Sequence, residues 1–310
     1  MILTVTLNTA IDHTVIVPEF RLGHTIRATQ AFLGPGGKGT DVSFILGTLG
    51  VRTRAQGFAG GTYGRKIEEL LRSRGAETDF VWVEGETRLN TIVVCSDGSG
   101  QATFTVDTLA PSAQDLEALL ARFEQSLPSA SAVVVGGSPP RRVPVQTLAD
   151  LVARARRRDL PVLLDASGEA LRAAVEAGPT LLKPNDVELG QLVGRPLHGV
   201  AAIREAAEAV LARYGCSVVV TLGAQGGLAV TPACAYRVEP LALEAVSTAG
   251  AGDAVSAGLA HSLAQGLPIE EGLRLGFAAA AAVVLTPVTA DCRPEDVERL
   301  RPQIQITPLD

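Results

Sequence analysis

From about residue 115 onward, short and wholly apolar runs alternate with amphipathic stretches, and this alternation constrains the fold more than any other feature. The apolar runs include 132–135, 162–164 and 218–220, and helical spacing of apolar residues marks 145–157 and 200–213. Strands that are apolar on both faces are typical of a parallel sheet covered by helices on each side. The sequence therefore predicts an α/β protein with a mostly parallel sheet.

The first third of the chain has a different pattern. Over 14–34 and 87–108, apolar and polar residues alternate in short runs, which is typical of a small antiparallel sheet with one exposed face. We expect a lid set apart from the main sheet, with strands within about 12–35 and 87–108. No linker, repeat or low-complexity segment divides the chain, so residues 1–310 are expected to form a single domain.

Composition excludes several classes of function. The formal net charge is −6 and aromatic residues make up 4% of the chain, so neither a basic nucleic-acid face nor a stacking platform for bases is expected. The four cysteines include no Cys-x-x-Cys pair, which argues against a disulfide framework or a zinc site. The first residues read as a strand rather than a signal peptide, and the late apolar run 277–285 is too short to span a bilayer. We therefore expect a cytoplasmic protein.

Polar and glycine residues cluster where the predicted strands end. The strand-end segments are Gly136-Gly137-Ser138, Asp165, Lys183-Pro184-Asn185 and Gly223. Ligands of open parallel sheets bind beyond the carboxyl ends of the strands. This edge of the sheet is therefore where we expect the functional site.

The segment 247–253 carries the strongest chemical signal. Gly250 and Gly252 precede a helical run that extends to Ala264, so backbone N–H groups can converge at a helix N-terminus and bind an anion. Bound phosphate would repel the Asp253 carboxylate unless its position serves the reaction. Removing the proton from a hydroxyl that attacks phosphorus is such a role. The alternative is that Asp253 only caps the helix.

Two more glycine-rich segments fit nucleotide or sugar binding. Residues 34–41 match Gly-x-Gly-x-x-Gly but not Walker A, and the carboxylate expected about twenty residues later in a dinucleotide fold is missing. The alternative is a backbone that a sugar approaches closely, with Lys38 as a donor. Residues 221–227 follow a strand, and they either hold the ribose and phosphates of a nucleotide or form an ordinary turn.

The segment 183–188 follows a strand and begins a helix. Asn185 and Glu188 lie one helical turn apart, which would let both face a magnesium–phosphate cluster through water, since magnesium keeps waters and needs few protein ligands. A helix start alone would also explain Pro184 and its polar neighbours.

In this order, these segments resemble the PfkB family of carbohydrate kinases over nearly the whole chain. The diagnostic pieces are Gly-Gly-Lys-Gly at 36–39 and Gly-Ala-Gly-Asp at 250–253, while 6–12 and 87–90 are similar to the branch with 1-phosphofructokinases, tagatose-6-phosphate kinases and minor 6-phosphofructokinases. The resemblance implies a ribokinase-like three-layer α/β/α sandwich with a small β-clasp lid. It also implies ATP as co-substrate, Mg²⁺, and a homodimer formed through the lid.

The resemblance further implies roles for individual residues. Asp253 would be the catalytic base, with the backbone of Gly250, Ala251 and Gly252 in the anion hole. The sugar and its phosphate would contact Asp12, Arg27, Gly37, Lys38, Asp41, Arg88 and Ser138. ATP would contact Lys183, Asn185, Thr221, Gly223 and Gly226, with Asn185 and Glu188 reaching magnesium through water.

The acceptor stays open at this stage. We expect phosphoryl transfer to a hydroxyl of fructose 1-phosphate, fructose 6-phosphate or tagatose 6-phosphate. The family usually has Asn where this chain has Asp41, and a carboxylate accepts sugar hydroxyl protons but repels phosphate. The alternatives are the same chemistry on an unphosphorylated sugar or nucleoside, and a non-catalytic regulator that binds nucleotide or sugar phosphate.

Overall fold

A computed structural model describes residues 1–309, which form fourteen strands and ten α-helices. The strands are β1 (Ile2–Thr6), β2 (Ala10–Val17), β3 (Gln30–Gly36), β4 (Thr53–Ala59), β5 (Glu77–Trp82), β6 (Arg88–Cys95), β7 (Gly100–Phe104), β8 (Ala132–Gly136), β9 (Val162–Asp165), β10 (Leu181–Leu182), β11 (Ser217–Thr221), β12 (Gly227–Val230), β13 (Ala235–Val238) and β14 (Ile306–Leu309). The helices are α1 (Lys38–Thr48), α2 (Gly61–Ser73), α3 (Ala113–Ser126), α4 (Gln146–Arg156), α5 (Gly168–Val175), α6 (Asp186–Val193), α7 (Gly199–Tyr214), α8 (Ala251–Gln265), α9 (Ile269–Val283) and α10 (Pro294–Leu300).

The main sheet contains ten strands in the order β14-β13-β12-β11-β10-β9-β8-β1-β4-β5. The run from β11 to β5 is parallel throughout, and β12, β13 and β14 add antiparallel pairs at one edge. The predicted parallel sheet is therefore confirmed. Because the parallel strands are buried on both faces, they need the near-continuous apolar sequences from which they were predicted.

Two hydrophobic cores lie on opposite faces of this sheet. Alternate residues of one strand divide between them, as Val133 joins the core under α3 to α7 while Val134 joins the core under α1, α8 and α9. This division follows from the period-two geometry of a strand. It produces the three layers of helix, sheet and helix. Among residues 1–309, no helix is both long and apolar enough to cross a membrane.

The lid is a separate four-stranded sheet in the order β3-β2-β6-β7. Its β2–β3 and β6–β7 pairs are antiparallel, but β2 and β6 pair in parallel, so the expectation of a wholly antiparallel lid was wrong. Alternating polarity reports an exposed face and carries no information about strand direction. Direction depends on the excursion between β2 and β6, which crosses the main sheet through β4 and β5.

Candidate active site

The candidate site lies at the carboxyl ends of the parallel strands, between the main sheet and the lid. Asp165 ends β9, Lys183 follows β10 directly, and Thr221 ends β11. The first residues of α1 and α8 approach the same edge, because Lys38 and Ser256 both contact Asp165. The structure thus brings the predicted strand-end residues together at one edge of the sheet.

The N-terminus of α8 has the features that an anion site requires. Gly250 has a φ of 83°, and a Cβ at this position would overlap the backbone of Ala290, so both conformation and space require glycine. Within the described residues, no side chain caps this helix. The Ala251 N–H donates to the Thr248 carbonyl at 3.3 Å, whereas the N–H groups of Gly252 and Asp253 remain available and carry the partial positive charge of the helix dipole. The Lys183 ammonium adds a full charge, since its Nζ is 3.6 Å from the place a Cβ on Gly252 would occupy.

A network centred on the buried Asp165 joins four parts of the chain near the start of α8: α1, β9, the residue after β10, and α8. The Asp165 carboxylate, 1% exposed, pairs with Lys38 Nζ at 2.5 Å and with Lys183 Nζ at 3.1 Å. It also accepts a hydrogen bond from the Ser256 hydroxyl at 2.7 Å. Burial favours the neutral acid, but Lys183 and Lys38 outweigh it and hold the pKa of Asp165 below its ordinary value. Asp165 thus fixes both lysines, and sequence reasoning did not select it as a site residue.

Asp253 lies in the first turn of α8, partly open to the cleft. Its surroundings raise its pKa from 3.8 to about 7; burial is the main cause, and Lys38 opposes the shift while Asp165 adds to it. A carboxylate with a pKa near neutrality is a competent base at cellular pH. Burial lowers the pKa of Lys38, but the carboxylates of Asp165, Asp253 and Glu188 more than offset this, so the pKa of Lys38 is raised and its ammonium stays charged.

The predicted acceptor side gathers where β2 and β6 of the lid meet α1. Asp12 Oδ1 accepts a hydrogen bond of 2.8 Å from the Asn90 amide. Asp41 is 4% exposed, and its Oδ1 has no hydrogen-bond partner within residues 1–309; the same holds for Arg88 Nε. Burial together with the charges of Asp253 and Asp12 raises the pKa of Asp41 well above its ordinary value. Buried polar atoms without partners are costly, so this pocket is suited to a polyhydroxylated ligand.

On the nucleotide side, Asn185 and Glu188 form a reciprocal helix cap. Asn185 Oδ1 accepts from the Glu188 N–H at 2.7 Å, and Glu188 Oε2 accepts from the Asn185 N–H at 2.9 Å. The helix-start interpretation of this segment is therefore correct. Glu188 Oε1 is not used by the cap and lies 3.7 Å from Lys38 Nζ. One free carboxylate oxygen fits a magnesium ion that keeps most of its waters. Among residues 1–309 no group of three or more His, Cys, Asp or Glu side chains could hold a metal ion.

The rest of the predicted nucleotide segment forms the hairpin between β11 and β12. Thr221 is hydrogen-bonded to the segment 183–188, because its N–H donates to the Pro184 carbonyl at 3.1 Å. Gly223 and Gly226 both have positive φ values, 55° and 81°. Between them, a short 3₁₀ turn places residues 223–225 at the sheet edge.

Two predicted site residues are not drawn into these contacts. Arg27 lies on the exposed connection between β2 and β3, and Ser138 is exposed after β8. In residues 1–309 the side chains of both are without a recorded hydrogen bond or ion pair to the rest of the site. Conversely, Asn90 and Ser256 contact predicted site residues or the Asp165 network, although neither was predicted as a site residue. Asn90 was visible as part of the segment 87–90, whereas nothing local marks Ser256 beyond its place one turn after Asp253.

Comparison with known proteins agrees with the family resemblance seen in the sequence. A family model described as pfkB family carbohydrate kinase matches residues 4–296. The chain belongs to this family. It is 34% identical to the 1-phosphofructokinase of Bacillus subtilis, with 100% of each chain covered. It is 31% identical to the ATP-dependent 6-phosphofructokinase isozyme 2 of Escherichia coli, over 96% of this chain and 97% of that protein.

Solved structures of pfkB proteins have the same fold. The crystal structure of phosphofructokinase-2 from Escherichia coli in complex with substrates and products matches with a TM-score of 0.89 and 30% identity, covering 98% of this chain and 99% of that one. The predicted family and the ribokinase-like α/β fold are thereby confirmed. As a pfkB carbohydrate kinase, the chain uses ATP as its co-substrate.

Proposed function

We propose that this kinase transfers the γ-phosphoryl group of ATP to a hydroxyl of a furanose sugar phosphate, with fructose 1-phosphate as the first acceptor to test. The observation that carries the proposal is the position of Asp253. A carboxylate with a pKa of about 7 stands at an uncapped helix N-terminus, beside the Asp165–Lys38–Lys183 network. A base next to an anion site is what proton removal during attack on a phosphoryl group requires.

In the proposed reaction, Asp253 accepts the proton of the acceptor hydroxyl. The hydroxyl oxygen forms a bond to the γ-phosphorus, the bond from that phosphorus to the bridging oxygen breaks, and ADP leaves. The N–H groups of the first turn of α8 and the ammonium groups of Lys38 and Lys183 stabilise charge on the transferred group. Lys38 suits the transferred phosphoryl better than the phosphate already on the sugar, because the neighbours that raise its pKa are Asp165, Asp253 and Glu188.

Magnesium is proposed as the metal that accompanies ATP. Glu188, through Oε1 and water, and Asn185 would hold it on the nucleotide side. When bound, Mg²⁺ would neutralise charge on the phosphates of ATP. The cap between Asn185 and Glu188 contributes by fixing the direction of the free oxygen before ATP arrives.

A sugar phosphate is the preferred acceptor because the acceptor pocket has both hydroxyl-binding and cationic groups. Asp12, Asp41 and Asn90 offer oxygens to sugar hydroxyls, and the half-buried Arg88 has an unpartnered Nε. An arginine of this kind is suited to a phosphate. Two relatives with 34% and 35% identity are named 1-phosphofructokinase, which supports fructose 1-phosphate over the alternatives. The carboxyl groups of Asp12 and Asp41 favour the second candidate, an unphosphorylated sugar.

An acceptor screen tests this proposal directly. ATP consumption would be measured with fructose 1-phosphate, fructose 6-phosphate, tagatose 6-phosphate, fructose and ribose. Turnover highest with fructose 1-phosphate, and abolished by Asp253→Asn but not by the exposed Asp150→Asn, is the expected result. Turnover restricted to fructose or ribose would replace the acceptor with the second candidate. ATP binding without turnover on any sugar would leave a regulator.

We also propose that two copies associate through the lid. All of β7 is exposed, and the rings of Phe20 and Phe104 stand 6.5 Å apart while 44% and 52% exposed. Neighbouring apolar side chains on a sheet edge are suited to a second copy. Light scattering after size exclusion should give a dimer that Phe104→Ser weakens. Leu267→Ser, a change of an exposed side chain away from the lid, should leave the dimer intact; a monomeric parent protein would refute the proposal.

A further inference from the structure

The hairpin loop of residues 222–227, which the proposed function assigns to ATP, is held from behind by one arginine. Arg237 lies on β13, next to β12 in the sheet. Its Nη1 donates to the Gly227 carbonyl at 2.7 Å and to the Val238 carbonyl at 3.1 Å, and its Nη2 donates to the Gln225 carbonyl. One guanidinium thus donates to three backbone carbonyls, and two of these, the carbonyls of Gln225 and Gly227, belong to the loop 222–227.

The loop has few other restraints of its own. The Leu222 N–H donates to the Gly226 carbonyl at 2.9 Å, and the Gly226 N–H donates to the Gly223 carbonyl at 3.2 Å. Residue 226 must be glycine, because its φ is 81° and because a Cβ there would overlap the Val238 carbonyl. The same Val238 carbonyl is one of the acceptors of Arg237. The guanidinium therefore joins the loop to the point on β13 against which Gly226 packs.

Arg237 lies on the opposite face of the sheet from Asp253, the proposed base. Leu228, its partner across the β12–β13 pair, belongs to the core under α3 to α7. The helix α8, with Asp253, packs on the other face of the sheet. Arg237 consequently supports the loop from the face opposite the base, without a place in the cleft where the phosphates would lie.

Three features make this support strong and specific to arginine. The side chain is 15% exposed, and its nearest carboxylate oxygen, on Glu239, is 4.0 Å away, so its hydrogen bonds go mainly to the backbone. A guanidinium has five donors in a rigid fork, whereas a lysine ammonium is a single point of charge. Hydrogen bonds that involve a charged donor are stronger than neutral ones.

We propose that Arg237 is a positioning residue that sets the affinity for ATP by fixing the nucleotide loop 222–227. This rests on the proposed role of the loop in binding ATP. Because an arginine that merely stabilises the hairpin would change thermal stability but leave ATP affinity alone, the two roles can be separated by experiment.

The test compares Arg237→Gln and Arg237→Lys with Arg274→Gln. Arg274 is a matched control, since its Nη1 donates to the backbone carbonyl of Ile304 at 2.8 Å between α9 and the C-terminal segment, away from the cleft. The dissociation constant of ATP would be measured by calorimetry, and the KM values of ATP and of the acceptor by steady-state kinetics. Melting temperatures would show that each variant folds.

We expect Arg237→Gln to raise the ATP dissociation constant and the KM for ATP roughly tenfold or more, since displacing a loop that positions a substrate has effects of this size. The KM for the acceptor should stay within about twofold, and Arg237→Lys should be intermediate. If Arg237→Gln fails to fold, Arg237→Lys alone decides. ATP dissociation constants no different from that of Arg274→Gln, or equal increases in both KM values, would overturn the proposal.

The calorimetric arm needs no acceptor, so a mistaken choice of sugar does not affect it. A parent protein that binds ATP but turns over no sugar phosphate would refute the proposed function and still test Arg237. A parent protein that does not bind ATP would refute both.

Discussion

Replacing Asp253 with Asn should stabilise the protein while removing its activity, and the stabilisation should grow with pH. The folded state raises the pKa of Asp253 from 3.8 to about 7, so the native protein binds this proton more tightly than the unfolded chain. Below pH 3.8 both states hold the proton and the group has no effect. As the pH rises from 3.8 towards 7, the unfolded chain ionises first and stability is lost; above about 7 the loss is constant.

The magnitude follows from the size of the shift. A change from 3.8 to about 7 corresponds to about 4 kcal/mol, at about 1.4 kcal/mol for each pKa unit. Asn carries no charge at any pH and has nearly the same shape, so it avoids this cost. Rearrangement of Lys38 and Lys183 around the amide reduces the gain, and we expect about 2 to 4 kcal/mol at pH 8. With about 2 °C per kcal/mol for a chain of this size, the melting temperature should rise by roughly 4 to 8 °C.

Urea or thermal unfolding at several pH values between 5 and 8.5 measures the effect, with Asp150→Asn as the control for loss of an exposed carboxylate. Turnover should fall by about 10² to 10⁴, the usual contribution of a general base. In the parent protein kcat/KM should decline as the pH drops through about 7, because protonated Asp253 cannot accept the hydroxyl proton. A stability difference that does not change with pH would refute the charge argument. Retained turnover would refute the assignment of the base.

Three other substitutions test separate parts of the site. Gly250→Ala should reduce kcat by at least about a hundredfold in a folded protein, as seen by circular dichroism, because the new Cβ overlaps Ala290 and displaces the anion site. Asp165→Asn should lower the free energy of unfolding in urea by about 3 to 5 kcal/mol, since it removes the buried partner of Lys38 and its companion lysine. Glu188→Gln keeps an oxygen for the helix cap but lowers its charge, so a magnesium titration at fixed ATP should show a higher half-saturating concentration with unchanged melting temperature. A parent-like kcat for Gly250→Ala, a parent-like free energy of unfolding for Asp165→Asn, or a parent-like magnesium dependence for Glu188→Gln would contradict the role assigned.

Features that depend on residues close together in the sequence could be predicted, whereas features that depend on residues far apart could not. The apolar strands, the helix after Gly250 and the polar strand ends are local, and they were enough to predict that the strand-end residues meet at one edge of the sheet. The reciprocal cap of Asn185 and Glu188 is local too, and it was weighed as an alternative. A local pattern could not decide whether the cap leaves a carboxylate oxygen free for a metal.

The Asp165 network could not be predicted from local patterns in the sequence. Its members come from α1, β9, the residue after β10, and α8, and the sequence separation is 127 positions for Lys38 and Asp165 and 91 for Asp165 and Ser256. No spacing in the sequence identifies a carboxylate that holds two lysines across such distances. The parallel pairing of β2 with β6 is determined in the same way, by a long excursion of the chain through the main sheet.

The two halves of the proposed site differ in whether their polar groups have partners before a ligand binds. This difference affects the interpretation of Asp41. In the ATP half, the charges of Asp165, Lys183 and Lys38 are paired before any ligand binds. In the half proposed to bind the acceptor, Asp41 Oδ1 and Arg88 Nε are buried without partners among residues 1–309, so we expect a bound acceptor to supply hydrogen bonds to them.

Burial and two neighbouring carboxylates raise the pKa of Asp41 well above its ordinary value, which favours its neutral form, while Lys38 and Arg88 oppose this shift. A protonated carboxyl offers one donor and one acceptor, as the amide of asparagine offers both kinds of group. In its neutral form Asp41 would therefore donate to a sugar oxygen as an amide does, whereas in its ionised form it would favour an unphosphorylated sugar.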